Sequence, residues 1–203
     1  MFKVGITGGI GSGKSKVAEL LSKRGVAVYD SDSRAKALMA GDEALRAALI
    51  EAFGAECYTD EGLNRAWLAE RVFNNEEELH RLNSIVHPAV MRDFAAWAET
   101  AEGDYVVMES AILLEVGLES HVDVVVAVMA PKELRLQRAM QRDGATEVQI
   151  EERMRNQMSD DERTERAKYA IVNIDFDELE EDVEQLHRRL CYDSKPREHR
   201  NQE

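Results

Sequence analysis

Cations are scarce in this chain: 26 Lys and Arg stand against 40 Asp and Glu, a formal net charge of −14 over 203 residues. Such a balance excludes a general nucleic-acid binder, which needs a basic surface to displace counterions. Cysteine is nearly absent as well. Cys57 and Cys191 form no C-x-x-C pair, so they read as free thiols of a reducing compartment. Long hydrophobic runs are missing. The longest clean one, Val124 to Ala130, is far short of the roughly 20 residues that span a bilayer. No signal-peptide-like apolar region stands at the N-terminus, so the expected location is the cytosol, with no membrane partner. What remains, 44% hydrophobic and 33% charged residues without an internal repeat, is ordinary for a globular protein.

Against that background one motif stands out. Gly8-Gly9-Ile10-Gly11-Ser12-Gly13-Lys14-Ser15 is a complete G-x-x-x-x-G-K-[ST] phosphate loop between a strand-like run (Phe2, Val4, Ile6) and a helix-like run (Val17, Ala18, Leu20, Leu21), the context the motif requires. Its glycines let successive N–H groups turn toward phosphate oxygens at the positive end of the following helix. Lys14 is expected to reach the β- and γ-phosphates, and Ser15 to ligate a bridging Mg²⁺. The bland alternative is a Gly-rich turn that merely opens a helix.

Period-2 apolar runs at Phe2–Thr7, Val26–Asp30, Tyr105–Glu109, Val122–Met129 and Tyr169–Asn173 predict short strands, alternating with helices. That alternation predicts a three-layer αβα fold around a parallel sheet. The core is expected from 1–32, 104–131 and 167–190. Helical patterns at Glu43–Phe53, Arg65–Phe73 and Glu76–Glu99 make 33–103 too long for a crossover and predict an inserted helical subdomain for a phosphate acceptor. Charged helices at 132–166, interrupted at Asp143-Gly144, predict a lid. Asp177–Leu190 predicts a closing helix and 191–203 a loose tail.

Asp30 and Asp32 follow the second strand, at the edge where ligands of parallel sheets bind. If the chain stays extended the two carboxylates point the same way, one as a base for an attacking hydroxyl, Asp32 being favoured, and the other near the metal's waters. Alternatively Asp32 or Ser31 caps a helix at Ser33–Met39. Glu109 ends the third strand where a Mg²⁺-shell acid belongs. Arg135, Arg138 and Arg142, three and four apart, share a helix face that would close over a triphosphate. For Arg135, Arg153, Arg155, Arg163 and Arg166 the competing reading is a solvated face paired with Glu133, Glu147, Glu151 and Glu152. His87-Pro88 suggests a helix start with Pro88 at its first position, Trp67 and Trp97 suggest core, and Arg65 is a candidate for an acceptor phosphate.

With these residues placed, the chain from Phe2 to about Leu190 resembles the dephospho-coenzyme A kinases. Val4 to Ser15 is similar to that family's T-G-G-I-G-S-G-K-S opening, and Val28-Tyr29-Asp30-Ser31-Asp32 to its V-I-D-A-D, whose second Asp, Asp32 here, is the proposed base. Leu63-Asn64-Arg65 with Val72-Phe73, and Leu82 to Pro88, are similar to its acceptor-subdomain signatures. Leu113-Leu114-Glu115 resembles the end of D-x-P-L-L-x-E, and Arg138 through Arg142-Asp143 the lid R-x-x-x-R-D. Lys16, Glu109, Ala111 and Lys168 depart from the pattern. The resemblance implies a phosphate-loop kinase fold with helical acceptor subdomain and lid, using ATP, Mg²⁺ and dephospho-coenzyme A. It implies ATP contacts from Gly9, Gly11, Ser12, Gly13, Lys14, Ser15, Lys16, Arg138 and Arg142, acceptor contacts from Asp32, Arg65 and His87, and metal contacts from Ser15 and Glu109. A nucleoside or nucleoside-monophosphate kinase is the alternative. A GTPase-type switch is disfavoured because no Asn-Lys-x-Asp sequence occurs.

Overall fold

The computed structural model describes residues 1–72 and 75–196. Its first unit comprises residues 1–29 and 98 onward, its second residues 30–97. In chain order the elements are β1 (Phe2–Thr7), α1 (Lys14–Ser22), β2 (Ala27–Asp30), α2 (Ser31–Gly41), α3 (Glu43–Phe53), β3 (Tyr58–Thr59), β4 (Gly62–Leu63), α4 (Arg65–Val72) and α5 (Glu76–Thr100). There follow β5 (Tyr105–Glu109), β6 (Val124–Met129), α6 (Lys132–Asp143), α7 (Glu147–Arg155), α8 (Asp160–Arg166), β7 (Tyr169–Val172) and α9 (Phe176–Ser194).

The sheet has the order β2-β5-β1-β6-β7. β1 pairs in parallel with β5 and with β6, and β6 in parallel with β7. This is the flanked parallel sheet that the alternating pattern predicts. Val4, Ile6, Val107, Val126 and Val128 on the strands meet Val17, Leu20 and Leu21 of α1 and Leu179, Val183, Leu186 and Leu190 of α9 in one core. Such Val-rich strands are buried on both faces. Gly5 shows why: a Cβ there would lie 2.6 Å from Leu113 Cδ1, so the residue's smallness admits the segment after β5.

The second unit holds α2, α3, α4 and most of α5, which bury Leu45, Leu49, Phe53, Leu68, Val90 and Phe94. It also holds a short antiparallel ribbon, β3 with β4, which apolar periodicity does not reveal because each strand is two residues long. Trp67 and Trp97 are only half-buried, unlike the core positions expected. Trp97 stacks on Phe94 at 6.0 Å between centroids. Trp67 lines an open cleft of ≈ 500 Å³ with Glu70, Arg71, Asn75 and Glu78. Pro88 does not start a helix; it lies inside α5. An interior proline forfeits one helical hydrogen bond and costs about 3 kcal/mol. The helix runs through because Val86, Ala89, Val90, Met91 and Phe94 bury an apolar stripe on either side of it.

The last helix passes the expected end at Leu190 and continues to Ser194. Asp193, 6% exposed, accepts hydrogen bonds from Lys168 Nζ at 2.5 Å and the Tyr169 hydroxyl at 2.9 Å. The hydrogen bond to Asp193 raises the Lys168 pKa. That pin holds 191–194 in the fold, so the loose-tail expectation fails there; residues 197–203, like Phe73 and Asn74, lie outside the described residues. Asp193→Ala should lower stability by about 2 kcal/mol, the scale of a hydrogen bond to a charged group, read as a lower urea midpoint.

Candidate active site

β1 feeds directly into the glycine-rich loop, and α1 leaves it. Gly13 caps α1 in the left-handed region at φ 92°, and Gly11 lies at φ 76°. Both must be glycine for space as well. A Cβ on Gly13 would stand 2.0 Å from Asn173 Nδ2, and one on Gly11 2.1 Å from the Arg135 carbonyl oxygen. No side chain caps α1 and no acid occupies its first turn, so its positive end is left for an external anion. The hydroxyls of Thr7 and Ser12 are buried and have no partner among the described residues. A buried orphan of this kind calls for a ligand or water.

Beneath the loop three predicted residues converge. The Ser15 hydroxyl donates to Glu109 Oε1 at 3.0 Å, and Lys14 Nζ lies 3.6 Å from the same oxygen. Glu109 arrives there because β5 pairs with β1 in the register Ile6↔Glu109. Among the described residues no group of three His, Cys, Asp or Glu side chains could hold a metal by itself. The hydroxyl and carboxylate oxygens of Ser15 and Glu109 nevertheless fit Mg²⁺, which takes one or two protein oxygens and completes its shell with waters and phosphates. Lys16 is turned elsewhere: its ammonium holds Glu19 at 2.9 Å and its N–H bonds the Gly13 carbonyl.

Arg135, Arg138 and Arg142 lie together on α6, but each goes to a different partner. Arg135 is buried, bonding the Ile10 carbonyl at 3.1 Å and Asp160 at 2.8 Å. Arg163 is fully buried against Glu115 at 2.6 Å and Asp160 at 3.3 Å. These two therefore are not members of a solvated face; they brace the fold. Arg138 donates to the carbonyls of Asn173 and Ile174 at 3.1 and 3.3 Å. Arg142 and Arg153 share Asp143, Arg155 bonds the Glu151 carbonyl, and Arg166 pairs with Glu119. Among the described residues, one of the expected acids, Glu151, is taken by Lys132 of α6 at 2.8 Å.

Within the second unit, Asp30 and Asp32 part company. The strand ends at Asp30, whose carboxylate caps α2 by accepting from the N–H groups of Asp32 and Ser33 and from the Ser33 hydroxyl. Asp32 is helical and exposed, and its carboxylate accepts no hydrogen bond among the described residues. The extended-chain alignment of the two carboxylates therefore does not hold, and Asp30, not Asp32 or Ser31, is the cap. Arg65 opens α4, which has no acid in its first turn, and Asn64 accepts from the Trp67 N–H at 3.2 Å. His87 is half-buried, and burial lowers its pKa, favouring the neutral ring.

Several site residues escaped sequence reasoning. Asn173 Nδ2 donates to the Ser12 carbonyl at 2.9 Å and Gln157 Oε1 accepts from the Ile10 N–H at 2.8 Å. Asn173 had a signal, a polar residue ending a strand at the ligand edge of a parallel sheet. Gln157, in a polar linker, had none.

The Asp30 cap carries a pH prediction. Burial raises its pKa, but the hydrogen bonds from Ser33 and Asp32 outweigh that and hold it below the ordinary value. A lowered folded pKa contributes stability above the unfolded value and loses it as the pH falls. Asp30→Ala should thus cost about 1 kcal/mol at neutral pH. The difference from the parent should be full above about pH 4 and shrink as the pH falls further, in unfolding curves recorded across that range.

Comparison with known proteins agrees with this geometry. The sequence profile of the dephospho-CoA kinases matches residues 2–178. A dephospho-CoA kinase of Bacteroides fragilis is 45% identical over 172 residues, 84% of each chain. One of Salinibacter ruber is 43% identical over 177 residues, 85% of this chain and 89% of that one. A crystal structure from Thermus thermophilus superposes with a TM-score of 0.82 at 34% identity, covering 93% of this chain and 97% of the other. With a phosphate loop, a lysine and serine meeting on one strand-end carboxylate, and matches of this length, the chain belongs to the dephospho-CoA kinase family.

Proposed function

We propose that this protein, in the cytoplasm, transfers the γ-phosphoryl group of Mg·ATP to the ribose 3′-hydroxyl of dephospho-coenzyme A, giving coenzyme A and ADP. The observation that carries the reading is the meeting of Lys14 and Ser15 on Glu109 beside an uncapped helix N-terminus. Phosphoryl transfer passes through a loose transition state, so the protein's work is positioning and charge stabilisation.

Each residue then has a task. The loop N–H groups and Lys14 bind the β- and γ-phosphates. Ser15 and Glu109 would hold Mg²⁺, which when bound would neutralise charge on the phosphate oxygens. Arg138 and Arg142, on α6 of the lid region, add positive charge around the nucleotide, Arg142 by leaving Asp143. Asp32, whose carboxylate carries no structural hydrogen bond, accepts the proton of the attacking hydroxyl. Arg65, at the acid-free start of α4, and His87 orient the acceptor.

Asp32→Asn should lower kcat by about 10²–10⁴-fold while leaving the ATP KM nearly unchanged in steady-state assays. Near-normal turnover would remove Asp32 from the role of base. The reaction itself is tested by ADP release with dephospho-coenzyme A, AMP, adenosine or no acceptor, the product's phosphate position being read by NMR. Stimulation by dephospho-coenzyme A alone, with a 3′-phosphate in the product, is the expected result; stimulation by AMP or adenosine would make it a nucleoside or nucleoside-monophosphate kinase instead.

A further inference from the structure

Ile10, at the tip of the phosphate loop, has both of its polar backbone groups taken by side chains from a distant part of the chain. Its N–H donates to Gln157 Oε1 at 2.8 Å, and its carbonyl accepts from Arg135 Nε at 3.1 Å. Gln157 sits in the linker between α7 and α8, and that linker is itself fixed. The Met158 N–H donates to Glu115 Oε1 at 3.3 Å, and the same oxygen holds the buried Arg163. Arg163 contacts Asp160, and Asp160 pairs with Arg135, which returns to Ile10. The contacts form a closed ring from the linker to the loop and back.

Such a ring has physical work to do. A loop with four glycines loses much conformational freedom when it settles around a phosphate, and a loop already held in the bound shape avoids that cost at the moment of binding. With its N–H donating to Gln157, Ile10 is not a phosphate donor. The N–H groups of Gly11 and Gly13 have no partner among the described residues, and those of Lys14 and Ser15 open α1, where no intrahelical acceptor exists. Fixing Ile10 thereby sets the direction of the donors that follow it.

We infer that Gln157 is a positioning residue for ATP: it holds the Ile10 peptide so that the phosphate loop is preorganised, and it makes nucleotide affinity depend on the α7–α8 linker. The inference rests on the reading of the loop as the ATP site.

The test is Gln157→Met, which keeps the side chain's length and removes the accepting oxygen. Loss of one such hydrogen bond should raise the Kd for Mg·ADP, by calorimetry, and the ATP KM by about five- to tenfold. The KM for dephospho-coenzyme A should stay within about twofold and the melting temperature within about 2 °C, the range of a sub-kcal/mol change. The Ile10 amide, followed by ¹⁵N NMR, should exchange faster in Gln157→Met and regain protection in Gln157→Glu, which restores an acceptor oxygen. Unchanged ADP affinity despite a freed Ile10 amide would overturn the inference, as would both KM values rising together with a fall in melting temperature. ADP titration needs no acceptor. A parent protein indifferent to dephospho-coenzyme A would therefore defeat the assigned reaction without touching the binding result, and unchanged ADP affinity in an active variant would defeat the inference alone.

Discussion

β1 is hydrogen-bonded in parallel to β5 on one side and to β6 on the other, and every part of the nucleotide site in the first unit hangs from that pairing. Parallel strands deliver their carboxyl ends to one edge of the sheet. Register decides which residues arrive together: Ile6 opposite Glu109, Thr7 opposite Ala127, Met129 opposite Val172. The Ser110 N–H donates to the Ile6 carbonyl and the Asn173 N–H to the Met129 carbonyl, extending the ladder into the segments that touch the loop. A slip of one residue would send Glu109 to the opposite face and separate it from Ser15.

Electrostatics impose the second constraint, because an acidic chain must receive a more acidic ligand. Around the loop most side-chain cations are already matched: Arg135 with Asp160, Arg163 with Glu115, Arg142 and Arg153 with Asp143, while Arg138 is held by backbone carbonyls. Lys14 faces Glu109 at 3.6 Å. Much of the attraction available to a phosphate without rearrangement comes from the backbone, through N–H groups at the start of a helix that carries no acid in its first turn. Seven of the other helices, α2, α3, α5, α6, α7, α8 and α9, do carry one. Their dipoles are answered internally, and that of α1 is not.

How much of this was legible in the sequence follows from the range of the interactions. The loop, the Val-rich strands and the helices α3 and α9 declare themselves through local spacing, and so were placed to within a few residues. Glu109 was found because a strand end is a local feature that carries a position in the sheet. The arginines show the limit: Arg142 pairs with its chain neighbour Asp143, but Asp160 and Asn173, the partners of Arg135 and Arg138, depend on tertiary packing. Gln157 and Glu115 were invisible as loop supports for the same reason. The β3–β4 ribbon was missed because strands of two residues have no period, and Pro88 was misplaced because packing along α5 outweighs one missing hydrogen bond.

The division between Asp30 and Asp32 shows how a local rule can separate two neighbouring carboxylates. A helix beginning directly after a strand leaves several N–H groups without acceptors, and the last strand residue is the one whose side chain can fold over them. Asp30 does so with both of its oxygens, and a carboxylate holding three donors is a weaker base, as its lowered pKa states. Asp32 lies one position inside the helix, where its side chain is exposed and accepts no hydrogen bond among the described residues. The cap thus engages one of two neighbouring carboxylates and leaves the other exposed.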